Sequence, residues 1–259
     1  MRWFIAFLSI CLWVLVIPDG FFSHDGIYDS TAADYQPTPH IDMSIFYENT
    51  DEILTASPTK SAISQKRQLP PSVYIHAPSY SQAPHGNRSL PWSMLCSEAN
   101  LVLAAYAIKG KELTQEQFIE DMFEMIPLQE ENFGTYFSIP MRDLKSVYDT
   151  MYPDVGRSWI MHEPSLEDLK WELAQWNIVI APTAGRLLNN PFFINGWPRF
   201  HTILIVWYDE KYFYVNEVGM SNGRNFRYTH ETVMHAMHDF VLEGDITQWD
   251  KLVMVVARE

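Results

Sequence analysis

The chain has 259 residues, 47% hydrophobic and 14% aromatic with nine Trp, which supplies ample apolar side chain for a buried core and excludes disorder of the chain as a whole. Against 18 Lys and Arg stand 32 Asp and Glu, and the resulting charge of -14 repels nucleic acid and anionic membrane surfaces, so no nucleic-acid partner is expected. The two cysteines are Cys11, inside an N-terminal apolar run, and Cys96, so the folded region holds one thiol and no internal disulfide. Such a thiol is either an inert core residue or a group kept for chemistry.

From Trp3 to Ile17 every residue but Ser9 is apolar, with Arg2 before the run and Pro18, Asp19 and Gly20 after it, the layout of a signal peptide or N-terminal membrane anchor over residues 1–20. A helix of that length reaches roughly 22 Å, short of a roughly 30 Å hydrocarbon core, which favours a cleaved signal. No small-x-small site directly follows; Thr31-Ala32-Ala33 is the nearest, so an anchor that ties residues 3–17 to a membrane stays open. In Leu8-Ser9-Ile10-Cys11 a bulky Ile stands where a lipoprotein signal has a small residue, which argues against lipidation of Cys11. Export is expected either way, with the protein secreted or anchored outside the cytoplasm. Residues 21–70 mix Asp, Ser, Thr and Pro without sustained periodicity and read as a disordered linker, leaving one domain over 71–259, expected to be monomeric.

Within that domain a short strand is expected at 73–77. A helix is expected at 96–108, where Ala99, Leu103 and Tyr106 recur at helical spacing and Gly110 follows as a stop. Further helices are expected at 114–125 and 141–151. Ser165, three residues before Asp168, opens another that runs to about 176. Residues 177–182 read as a buried strand, 201–207 and 212–215 as a hairpin around Asp209-Glu210-Lys211, 229–240 as a helix and 252–257 as a last buried strand. This order predicts an α+β domain with a helix packed on an antiparallel sheet.

Candidate chemistry starts at Cys96, the first residue of its expected helix. A thiol attacks as thiolate, and helix N-termini favour negative charge. Pro91 limits helix before it, and Ser93 offers a capping oxygen. His201 is the one titratable residue in the apolar run that follows Phe200, and it reads either as a base facing that helix end or as a structural histidine. Asn216 and Glu217, 15 and 16 residues further on, return beside His201 if the hairpin forms. Neighbours on a strand point to opposite faces, so one of the two can hold the imidazole. Gln82, fourteen residues before Cys96, could donate an amide N–H toward an oxyanion, and it reads equally as a surface residue.

Ser81-Gln82-Ala83-Pro84, Leu90-Pro91-Trp92 leading to Cys96-Ser97-Glu98-Ala99, Gly185-Arg186-Leu187, Asn190-Pro191-Phe192-Phe193, Phe200-His201, Tyr208-Asp209 and Asn216-Glu217-Val218-Gly219 together resemble the papain-like double-glycine peptidase-like family, in its bacterial exported subgroup, over residues 73–240. The resemblance implies a papain-like cysteine peptidase fold, with Cys96 as nucleophile, His201 as general base and acid, and Gln82 as oxyanion donor. It places the acidic orienter at Glu217, with Asn216 the alternative that papain-like enzymes in the broad sense would use. Three positions depart from the family pattern. Glu217 stands for an Asp in Asn-Asp-Pro-Gly, Trp207 stands for a Gly before Tyr-Asp, and Cys96-Ser97-Glu98-Ala99-Asn100 stands for Cys-Glu-Glu-Ala-Ser.

The implied function is cleavage of a peptide or amide bond in a peptide or protein substrate through a thioester, with no cofactor. An inactive peptide- or wall-binding module and a transferase using the same thioester are the alternatives. No metal is expected: His235 lies five residues after His230, not the four of a zinc-protease helix, and His235 with His238 lacks a third ligand. Asn87-Arg88-Ser89 fits a glycosylation sequon that arises often by chance.

Overall fold

The computed structural model describes residues 68–193 and 198–258. The apolar run 3–17 and nearly all of the expected linker lie outside the described residues. The last linker residue is already tied to the domain, since Tyr208 Oη donates to the Pro70 carbonyl at 2.9 Å.

Among the described residues the strands are β1 (Val73–Tyr74), β2 (Arg157–His162), β3 (Ile178–Ala184), β4 (Phe200–Tyr208), β5 (Tyr212–Asn216), β6 (Phe226–Thr229) and β7 (Leu252–Ala257). They form one antiparallel sheet in the order β2-β7-β3-β4-β5-β6. β1 joins β4 opposite Trp207 and Tyr208, beyond Ile205 where the pairing with β3 ends. The strand expected at 73–77 is thus shorter, although the Ile75 N–H still reaches the Val206 carbonyl at 2.8 Å. At the sheet centre, the runs Ile178-Val179-Ile180-Ala181, Ile203-Leu204-Ile205-Val206 and Val253-Met254-Val255-Val256 are buried at every position. Both faces are therefore covered there, which is why these strands read as continuous apolar runs instead of alternating ones. The two edge strands β2 and β6 were not expected, because each mixes half-buried apolar residues with Arg or His; pairing with β7 and β5 makes them strands.

The helices are α1 (Cys96–Lys109), α2 (Gln115–Phe133), α3 (Met141–Met151), α4 (Leu166–Ala174) and α5 (His230–Ala236). α1 is buried almost all round, its polar Ser97, Glu98 and Asn100 included, and only Tyr106 and Lys109 are not buried. It packs on β4, β3 and β7 and on α2, so the residue at its N-terminus is held from several directions. Complete burial of Leu101 and Leu103 contributes roughly 1.5–3 kcal/mol each. The domain is therefore α+β, with the Cys96 helix against an antiparallel sheet.

Three helix ends differ from expectation. α2 runs on past Met125 and through Pro127 to Phe133, because Gln129 is fully buried and donates to Glu98 of α1, rewarding continuation past the proline. α4 begins with the expected capping box of Ser165 and Asp168 but stops at Ala174. α5 ends at Ala236 instead of 240 because the chain is captured by the end of β3: Met237 bridges Thr183, and the His238 N–H donates to the Pro182 carbonyl.

Glu98, one turn into α1, is a buried acid. Gln129 Nε2 donates to its Oε1 at 2.7 Å, while Glu98 Oε2 and Gln129 Oε1 have no hydrogen-bond donor. Burial pushes its carboxyl up to about 7, against the smaller opposing effects of its own backbone N–H and Gln129. The folded-state value lies above the ordinary 4.5, so the favourable neutral form is complete below 4.5 and is lost as pH rises through about 7. Glu98→Gln keeps the shape and replaces the missing proton with amide hydrogens. Urea unfolding is expected to show equal stability for variant and parent at pH 5. At pH 8 the variant should gain on the order of 2 kcal/mol.

Candidate active site

Cys96 is the first residue of α1, entered through a 3-10 turn at Trp92–Met94. The N-cap is Leu95, not Ser93, and no side chain caps the helix. The expectation of a serine cap fails because the 3-10 turn inserts two further residues between Ser93 and the helix. An end without a side-chain cap leaves its first N–H groups to favour negative charge at this point.

The first turn of α1 is fastened to β4 by polar bonds in the core. Asn100 Nδ2 donates both to the Cys96 carbonyl at 2.8 Å and to the Thr202 carbonyl at 2.7 Å. Ser97 Oγ and Thr202 Oγ1 share a hydrogen bond at 2.9 Å. Because Thr202 is the neighbour of His201, these bonds set the spacing between thiol and imidazole. Asn100 and Ser97 meet Thr202 from more than a hundred residues away, so no local signal could have found these bonds.

His201 is the second residue of β4, opposite Thr183 of β3, whose Oγ1 donates to the His201 carbonyl at 2.7 Å. Its ring is boxed in. Phe193 meets it edge-on with centroids 5.3 Å apart, Gly185 approaches where a side chain would not fit, and a Cβ at Gly219 would lie 3.6 Å from His201 Cε1. A Cβ at Gly185 would come within 2.5 Å of the Pro198 carbonyl and 3.2 Å of His201 Cβ. His201 Nε2 meets Glu217 Oε1 at 2.6 Å. Cys96 is the other side chain that favours charge on the ring, and with Nε2 taken by Glu217, Nδ1 is the nitrogen left for the thiol.

Glu217 is buried and fully bonded. Its Oε1 also accepts the Gly219 N–H at 3.0 Å, and its Oε2 accepts the Tyr228 hydroxyl at 2.8 Å. The backbone turn from 217 to 223 is closed by the Glu217 N–H on the Gly223 carbonyl at 2.9 Å, and a Cβ at Gly223 would lie 1.9 Å from the Glu217 carbonyl oxygen. Burial opposes charge on both groups of the pair, and attraction overrides it. Against desolvation, Glu217 and then Cys96 push His201 up to about 10. Against the same cost, His201, Tyr228 and the Gly219 N–H hold Glu217 below the usual carboxylate range.

Asn216 points elsewhere: its Nδ2 donates to the Pro78 carbonyl at 2.7 Å, and its Oδ1 accepts the Asn225 N–H at 3.4 Å. Of the two adjacent candidates, then, Glu217 reaches His201. Gln82 is buried beside this group. Its N–H donates to the Val218 carbonyl and its Nε2 to the Trp92 carbonyl, both at 2.9 Å, so it bridges the loop after Glu217 and the turn before Cys96. Trp207 finds room at the outer side of the hairpin. A bulge between Ile205 and Trp207 turns it to stack on Tyr214 at 3.9 Å, with Nε1 donating to Ser72 Oγ.

Among the described residues no group of three or more His, Cys, Asp or Glu is placed to hold a metal ion. His238 Nδ1 bonds the Trp249 carbonyl at 2.8 Å. No helix of the described residues is long and apolar enough to cross a membrane.

No family model matches this sequence, and no curated protein matches it. Among solved structures it is similar to a protein of Bacillus anthracis assigned as a C39-like peptidase, at 12% identity and a TM-score of 0.49. The alignment covers 73% of this chain and 98% of that one.

Proposed function

We propose that this chain is a papain-like cysteine hydrolase that acts outside the cytoplasm and cleaves a peptide or other amide bond through a thioester. The observation that carries the reading is the buried line of Cys96, His201 and Glu217, in which a carboxylate occupies one imidazole nitrogen and leaves the other to a thiol at a helix N-terminus. The thiol proton rests on His201 Nδ1, and Sγ, as the thiolate of that ion pair, attacks the carbonyl carbon of the substrate. The carbonyl oxygen becomes an oxyanion between the Cys96 N–H and the Gln82 amide, which has a second hydrogen beyond the one given to Trp92. His201 then protonates the leaving amine as the C–N bond breaks. Water, deprotonated by the same imidazole, hydrolyses the thioester and restores the ion pair. The apolar run 3–17 supports action beyond a membrane, by a secreted or an anchored protein.

Labelling the native protein with iodoacetamide, with peptide mass spectrometry to separate Cys96 from Cys11, tests the reading alongside hydrolysis of fluorogenic casein. Cys96 is expected to react faster in the native fold than in urea, where helix end and imidazole are dispersed. Slower native labelling together with no hydrolysis would overturn the proposal. That second outcome is the one a peptide-binding module without activity would give, a reading favoured by how little of Cys96 and His201 is exposed, 6% and 2%.

A further inference from the structure

Glu217 owes its position and charge to a chain of donors that starts outside the Cys96–His201–Glu217 line. Tyr228, near the end of β6, is buried, and its hydroxyl contacts two groups, Glu217 Oε2 at 2.8 Å and Asn190 Nδ2 at 2.8 Å. The orientation of the Asn190 amide is settled by its other end, because its Oδ1 accepts the Phe192 N–H at 2.9 Å and must therefore be the oxygen. The nitrogen then faces Tyr228 and can only donate, so the phenol oxygen is the acceptor of that bond. Its single proton is left with one destination, the Glu217 carboxylate.

We propose that Tyr228 and Asn190 are positioning residues for the Glu217–His201 pair, a one-way relay of hydrogen bonds from the loop at 190–193 that holds the carboxylate in place and keeps it charged. The inference rests on the hydrolase reading for its catalytic meaning, though the relay itself is a property of the fold. A donor that cannot also accept from the carboxyl stabilises the ionised form more than the neutral one, so Glu217 acts as a fixed negative charge that neither takes nor returns the proton of His201. The same loop places Phe193 against the His201 ring, so one segment sets both the face of the imidazole and, through Tyr228, its charge partner. The ionisable groups bearing on His201 are Cys96 and Glu217, and those bearing on Glu217 are His201 and Tyr228. Removing the phenol hydroxyl leaves a buried carboxylate oxygen without its donor, which weakens the charge that holds His201 protonated.

The test follows the His201 ring in full-length protein labelled with ¹⁵N-histidine, its signals assigned by their loss in His201→Asn. Tyr228→Phe is expected to lower the His201 titration midpoint by about one pH unit. Asn190→Ala, which keeps the hydroxyl but loses the donor behind it, should lower the midpoint by less, in the same direction. The rate of Cys96 alkylation by iodoacetamide at a fixed pH should fall about tenfold in Tyr228→Phe. An unchanged midpoint in Tyr228→Phe overturns the proposal; should that variant fail to fold, an unchanged midpoint in Asn190→Ala does so. A purely structural role would lower the unfolding temperature and leave the midpoint in the folded fraction where it was. Because the NMR titration needs no substrate, failure of the hydrolase reading shows separately, as parent protein whose Cys96 is labelled no faster native than unfolded.

Discussion

Cys96→Ala is expected to abolish hydrolysis, by 10⁴-fold or more, while the protein unfolds within a few degrees of the parent. The side chain is small and sits at the start of α1, where the substitution removes one sulfur atom from a site that is 6% exposed. The packing loss is about 1 kcal/mol or less. The polar bonds that fasten the first turn of α1 to Thr202 of β4 run through the Cys96 carbonyl, Asn100 and Ser97, and they survive loss of the thiol, which gives up only its interaction with the His201 ring. Chemistry loses everything by the same change, because no other nucleophile among the described residues shares the imidazole. Cys96→Ser should fare little better, since an alcohol is a far weaker nucleophile without a stronger base. Hydrolysis of casein and thermal unfolding, measured on one preparation, decide the matter, and retained turnover in the purified Ala variant would refute a cysteine mechanism.

The second large effect is expected at Glu217. Glu217→Gln keeps the volume but removes the charge opposite His201, and the amide that replaces it can turn its NH₂ toward the ring and impose the wrong tautomer. Turnover should fall by about 10²–10⁴-fold. Asn216→Ala should lower turnover less than about threefold and cost about 1 kcal/mol of stability, since its side chain serves the Pro78 carbonyl and the Asn225 N–H. The opposite ranking on one substrate would show that Glu217 is not the orienter. The pH behaviour separates them again. Glu217 contributes stability above its ordinary 4.5 that is lost as pH falls through its lowered folded value. His201 contributes stability that is complete below 6.5 and is lost as pH rises through about 10. The pair is worth most between 4.5 and 6.5, and Glu217→Gln should flatten urea stability across both flanks while Asn216→Ala leaves its shape unchanged.

Elements whose signals are local were readable in the amino-acid order. Met141–Met151 and Leu252–Ala257 form where periodicity and an apolar run put them, and the Ser165 and Asp168 box opens α4 because its partners are three residues apart. The start of α1 at Cys96 and the β4–β5 hairpin around Asp209 follow from a helical stripe with a glycine stop and from two apolar runs with a polar turn. Strand alternation limited the orienter to one of two neighbours. Which one it is depended on the register of the hairpin and on Pro78, a partner 138 residues from Asn216.

What the order of residues did not reveal lies in long-range polar pairing. Asn100, Tyr228 and Asn190 are ordinary residues in their own segments, and each acquires meaning from a group brought up by another part of the fold. Asn100 meets Thr202 across 102 residues, and Asn190 meets Tyr228 across 38. The edge strands β2 and β6 and the long end of α2 were hidden for the same reason, because a neighbouring strand or a buried Gln129 stabilises them and not their own pattern. Residue type and spacing determined which side chains could do chemistry here. Tertiary structure alone decided which of them are ionised, because burial in a low-dielectric interior raises the cost of a charge and only a partner delivered by the fold offsets it.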